Sequence, residues 1–286
     1  MNQGNDQRSQ AILAALLSPS EPWLPELTES LVASGWEALG KDIGISPSTY
    51  SSANVMRRSH ETPDPTTLIP IHIKERGSFA SIEFLDDEVE EHFSAADYRF
   101  PIYREVSDTA IAKSLSHAFE LIAFVPTLHN SVALLVKSVH ILESKAKDCD
   151  ISFSDPALPF SIFISAPTED SPNIAFRLAE ATIHEAMHLQ LSLLERLTPI
   201  APAEGSKHYS PWKKSDRAAG GLLHALYVFT VIDSWLNELP FASNQYLLMR
   251  RTEIAQQVAQ IEGFHYADLT YAGDLLRRHL FSLHRL

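Results

Sequence analysis

The stretch "ATIHEAMHLQ", residues 181–190, holds His184, Glu185 and His188 in the spacing His-Glu-x-x-His. On an α-helix, residues four apart project from one face, one above the other, so both imidazoles can reach a common point. Imidazole nitrogens suit both zinc and iron, which makes the pair two-thirds of a three-ligand metal site. Glu185 is turned about 100° around the helix from His184, beside such a metal rather than on it. Glu180, one turn before His184, could orient that ring through its second nitrogen.

The third ligand decides the chemistry. The usual answer to this motif is zinc and hydrolysis, with Glu185 as general base for the attacking water. The hydrolase subclass that continues with Gly-x-x-His is excluded, because Leu191 and Leu194 stand at those positions. Glu238 in "SWLNELP" is a carboxylate candidate, but it sits beside a helix-ending proline. His224 in "GGLLHALYVF" fits better, on an almost wholly apolar helix where Gly220 and Gly221 allow close backbone approach. A lone histidine on such a face is usually a hydrogen-bonded core residue. The two-histidine motif upstream is what makes ligation the preferred reading.

Just before His224, "HYSPWKKSDRAAGGLLH" gathers Tyr209, Ser210, Lys213, Lys214 and Arg217. A hydrolase has no need of cations there, whereas an Fe(II) oxygenase using 2-oxoglutarate needs a partner for the distal carboxylate. The arginine fork suits that task. A cation at a helix start opposes the macrodipole, so Arg217 calls for some other partner. Lys213 and Lys214 read more simply as solvated charges.

The order of "RLAEATIHEAMHLQL" and then "YSPWKKSDRAAGGLLHALYVF" resembles the HExxH-motif peptide-modification proteins found beside ribosomally made peptide natural products. The resemblance covers about the C-terminal half. In that family Pro-Trp is followed by a basic residue, Asp, Arg-Pro, a Gly and a His. Pro211, Trp212, Lys213, Asp216, Arg217, Gly220 or Gly221, and His224 match, while Ala218 stands where proline is expected and Lys213 where arginine is common. The resemblance implies an Fe(II)- and 2-oxoglutarate-dependent oxygenase that hydroxylates a side-chain β-carbon of a ribosomally synthesised precursor peptide. It implies Fe(II) on His184, His188 and His224. The co-substrate falls to Arg217, with Tyr209, Ser210 and Lys213 beside it, and Glu185 orients rather than activates. Two alternatives stay open: a zinc metallopeptidase with Glu185 as base, and a non-catalytic peptide-binding protein.

The elements that must position these groups are mostly helical. "NIAFRLAEATIHEAMHLQLSLLERL" carries apolar residues at helical spacing with no Pro or Gly. Further helices are expected in "SQAILAALLS", "LPELTESLVASGWEALG", from about Asp108 to Lys147 with a break near Pro126, over "RAAGGLLHALYVFTVIDSWLNEL", and around 245–261 and 272–286. Residues 44–67 read as a long loop, and "TPIAPAEGSKHYSPWKKSD" as a polar loop. "LIPIHIKERGSFASIEFL" predicts a hairpin around Arg76, Gly77 and Ser78, and "ISFSDPALPFSIFISAPT" a second extended patch. The expected fold is therefore mainly α within the α+β class, with a few short antiparallel strands. A single catalytic domain would span 1–286, with an N-terminal helical elaboration over about 1–60 and the HExxH core over about 150–286.

The 286 residues carry a formal net charge of -13, which disfavours nucleic acid and anionic membrane surfaces, since phosphate needs a concentrated basic face. The only cysteine, Cys149, excludes an intrachain disulfide and a thiolate zinc cluster. The N-terminus lacks a basic segment followed by a long apolar one, and no apolar run is expected to span a membrane, so a cytoplasmic protein is expected. The apolar terminal helices would permit a homodimer.

Overall fold

The computed structural model describes residues 3–73, 77–85, 89, 91, 110–142, 150–165, 173–203, 205–261, 263, 264 and 266–284. Arg76, Asp108, Lys147 and Cys149 lie outside them. The fold is mainly helical with short strands, in the α+β class. Its chain divides into two compact units, one of Ser30–Leu189 and one of Met1–Glu29 with Gln190–Leu286.

In the Ser30–Leu189 unit a five-stranded sheet runs in the order β1-β2-β3-β5-β4, with β1 Leu68–Ile73, β2 Gly77–Glu83, β3 Ser138–Leu142, β4 Ser152–Phe153 and β5 Ser161–Ser165. The expected β1–β2 hairpin is present, pairing Leu68 with Glu83 and Ile73 with Gly77. The sheet is mixed rather than antiparallel, because β2 pairs parallel with β3 and β3 parallel with β5. Parallel pairing needs a long crossover, and the helices Ala110–Ile122 and Pro126–Leu135 lie in the β2–β3 connection. They are α4 and α5, following α1 Gln3–Leu17, α2 Pro25–Ile43 and α3 Ser52–Arg57. Pro126 opens α5, where its missing N–H costs nothing.

Helix was expected to continue through residues 138–142. Instead "SVHIL" is β3, buried at every position, as is β5. Two buried strands at the centre of a sheet read as continuous apolar runs and lose the alternation that marks an exposed one.

Side chains alternate across this sheet. One face stacks His140, Phe163 and Phe153 across β3, β5 and β4, with ring centroids 4.4 Å apart in each pair. The same face carries a buried polar network. Ser52 Oγ meets His140 Nε2 at 2.7 Å, the Ser52 N–H donates to Glu83 Oε2 at 2.9 Å, and His140 Nδ1 lies 3.0 Å from the Glu83 carbonyl oxygen. These bonds hold the start of α3 to the sheet. Ser152 alternates to the opposite face, toward the motif helix.

That helix is α6, Ile174–Glu195. Its last residues belong to the other unit, where Gln190 is fully buried. The Gln190 amide donates to the Trp23 carbonyl at 3.0 Å and to Thr28 Oγ1 at 2.8 Å, and its oxygen accepts from the Tyr227 hydroxyl. This unit is built on α7, Ala219–Glu238, which packs against α8, Gln245–Ala259, and α9, Tyr271–Leu283. By length and composition α7 could cross a membrane, contrary to the expectation from the sequence. Most of its apolar residues are buried within the unit, Trp235 and Tyr227 completely. Residues 207–218 form a hairpin, β6 Lys207–Ser210 and β7 Ser215–Ala218, where a loop was expected.

Candidate metal centre

The helical spacing of the motif brings His184 Nε2 and His188 Nε2 to 3.2 Å, with the rings inclined at 64°. Metal–imidazole bonds are about 2.1 Å long, so an ion bound to both nitrogens would see them roughly 100° apart. That angle suits octahedral and tetrahedral centres alike, and the pair fits Fe(II) as well as zinc. Without an ion, the same approach is an N–H···N hydrogen bond between two neutral imidazoles. Both rings are half-buried, as a site open to substrate requires.

Glu185 has a different environment. Its side chain is 2% exposed, and Ser152 Oγ donates to its Oε1 at 2.6 Å. The same oxygen lies 3.9 Å from His184 Nε2. The position follows from the helix turn, which swings Glu185 from the histidine stripe toward the sheet, where the edge strand β4 supplies the hydroxyl. Ser152 was not read from the sequence. It lies 33 residues upstream of Glu185 and reaches it only through strand pairing, Ser152 with Ile164. Glu180, one turn before His184, is half-buried.

His224 lies in the other unit, on the second turn of α7, and its Nε2 is 3.1 Å from Glu195 Oε2. Glu195 was also missed, although a signal existed. It follows His188 by seven residues, which places a carboxylate on the same stripe of α6. Among the described residues, no group of three or more His, Cys, Asp or Glu side chains gathers closely enough to hold a metal ion. Glu238 is exposed at the last position of α7.

Tyr209, Ser210, Lys213 and Arg217 come together on the β6–β7 hairpin. Lys213 and Arg217 are exposed, and Tyr209 is 52% exposed. Arg217 stands opposite His208 in the ladder. Ser210 is buried and accepts from the Lys213 backbone N–H at 3.4 Å, so its hydroxyl shapes the turn. The turn also needs Lys214 in the left-handed region, at φ 51°. Trp212 anchors it, stacked at 5.1 Å and 4° on Phe229 of α7, with the Arg250 guanidinium 5.4 Å from the same Phe229 ring. The hairpin thus presents its cations from a fixed base.

Comparison with protein-family models and with curated proteins found no match to this chain.

Proposed function

We propose that this protein is an Fe(II)- and 2-oxoglutarate-dependent oxygenase that hydroxylates a side-chain β-carbon of a precursor peptide. The observation that carries the reading is the convergence of His184 Nε2 and His188 Nε2 to 3.2 Å on one helix face. His184 and His188 hold the metal, and His224 is the third ligand assigned from the sequence pattern. When bound, Fe(II) and 2-oxoglutarate supply the oxidising chemistry that places oxygen in a C–H bond. Arg217 binds the distal carboxylate of the co-substrate through its fork. Its exposed guanidinium, with no ion pair among the described residues, is available for that role. Glu185, held by Ser152 on the sheet side of the histidine stripe, positions groups at the edge of the centre.

A second reading, a zinc peptidase, is favoured by one observation: Glu185 Oε1 lies 3.9 Å from His184 Nε2, close enough to take a proton from a water at the centre.

Anaerobic reconstitution with Fe(II) followed by 2-oxoglutarate separates the two. The oxygenase reading expects the weak visible charge-transfer band of the chelate, and Arg217→Ala should raise the 2-oxoglutarate requirement roughly tenfold or more. No band, together with tightly retained zinc and peptide cleavage, would overturn it in favour of the peptidase.

A further inference from the structure

The Ser30–Leu189 unit contains a cavity of about 360 Å³ that shares no residue with the metal motif. Its volume is that of a small-molecule site. Pro47, Pro63, Pro65 and Leu68 contribute apolar walls, and Ser81 and Lys137 belong to a polar part of the lining that also includes Ser48 and Thr62. Proline rings are stiff and carry no N–H, so these walls are preformed and offer a ligand few donors.

Lys137 stands between α5 and β3. Its ammonium donates to the Ala133 carbonyl at 2.6 Å, where it caps the C-terminal turn of α5. An ammonium has three N–H donors, and this bond occupies one. No carboxylate among the described residues pairs with it. Burial alone acts on the group and holds its pKa below the ordinary lysine value. Lys137 is half-buried, so its charge is partly withdrawn from water without a counter-charge, and an anion in the cavity would offset that cost. The Ser81 backbone N–H donates to the Lys137 carbonyl at 3.0 Å, which fixes Ser81 and Lys137 on one wall.

We propose that this cavity binds a carboxylate carried on a short apolar chain, with Lys137 as its counter-ion and the proline and leucine side chains against the chain. The carboxylate belongs to a free organic acid or to the C-terminus of a peptide, sources that share this chemistry. The site is independent of the metal reading and stands or falls without it.

The test is calorimetric titration of the full chain with hexanoate, hexanamide, and the tripeptide Ala-Ala-Leu as free acid and as C-terminal amide. At least one acid should bind about tenfold or more tightly than its amide, the range of a charge-assisted hydrogen bond. Preference for hexanoate assigns the site to a free acid, and preference for the tripeptide acid assigns it to a peptide terminus. Lys137→Met should abolish the discrimination, and Lys137→Arg should preserve it. Equal binding of acids and amides, no binding of either acid, or discrimination that survives Lys137→Met would overturn the proposal. Should Lys137→Met fail to fold, the acid–amide comparison and Lys137→Arg still decide, since loss of discrimination in the arginine variant also counts against it.

Discussion

Glu185 is the residue at which the two chemical readings part, and its neighbour Ser152 gives access to it. The carboxylate is 2% exposed and accepts a 2.6 Å hydrogen bond from the serine hydroxyl. Ser152→Ala would leave a buried acceptor short of one donor, at a stability loss of about 1–3 kcal/mol. Urea unfolding should show that loss, and Ser152→Thr, which keeps a hydroxyl, should recover most of it. A Ser152→Ala protein as stable as the parent would mean that the hydroxyl does not hold the carboxylate. At this scale the sequence was readable wherever local geometry decides. The His184–His188 pair follows from helix periodicity alone. Ser152 was not readable, because strand register rather than spacing brings it to Glu185. Glu195 could have been read, since a carboxylate seven residues after His188 stands on the same stripe as the histidines.

Among the elements, the fit of α9 depends on Gly273. A β-carbon there would lie 1.9 Å from the Ile200 carbonyl oxygen, a distance that real side chains do not tolerate. The same carbonyl accepts from the Thr270 N–H at 3.1 Å, and Thr270 Oγ1 donates to the Pro199 carbonyl at 2.6 Å, so the approach is held from both sides. Gly273→Ala should therefore destabilise the protein by about 1–3 kcal/mol or more, the usual cost of overpacking. Thermal unfolding checks it, and an unchanged midpoint would show that the 199–200 segment yields freely. The elements also show where pattern reading stops working. β3 reads as helix in the sequence because the apolar residues of α5 resume after only two polar positions, Lys137 and Ser138, an interruption that a helix tolerates on its solvent face. The cue that could have distinguished it was β-branching, in Val136, Val139 and Ile141. The β6–β7 hairpin reads as a loop because most of its strand residues are exposed and polar, and no apolar alternation marks it.

For the whole molecule, stability should depend on keeping buried histidines neutral. His140 has no exposed surface; burial holds its pKa below the ordinary 6.5, against the opposing pull of Glu83. Burial likewise lowers His279, opposed by Glu26, and His284, opposed by Asp233. In the unfolded chain these rings take up a proton near 6.5, while the folded state resists it. Stability is therefore full above that pH and falls as pH drops below it, with a slope of up to about 1.4 kcal/mol per pH unit from His140. Urea midpoints measured from pH 7.5 down to about 5 should show the fall, and His140→Gln should flatten it. A flat profile in the parent would mean that the rings protonate in place. The two-unit division was not readable in advance, because one unit joins the first 29 residues to the last 97 and local pattern carries no record of that pairing. The order of the helices has a consequence for synthesis. α7 is apolar enough to cross a bilayer, and α8 and α9, which pack on it, follow it in the chain. At about 5–20 residues per second, a ribosome needs on the order of several seconds to add the 45 residues from Glu238 to the end of α9. Until those residues have been made, the apolar surface of α7 lacks the two helices that cover it in the folded unit.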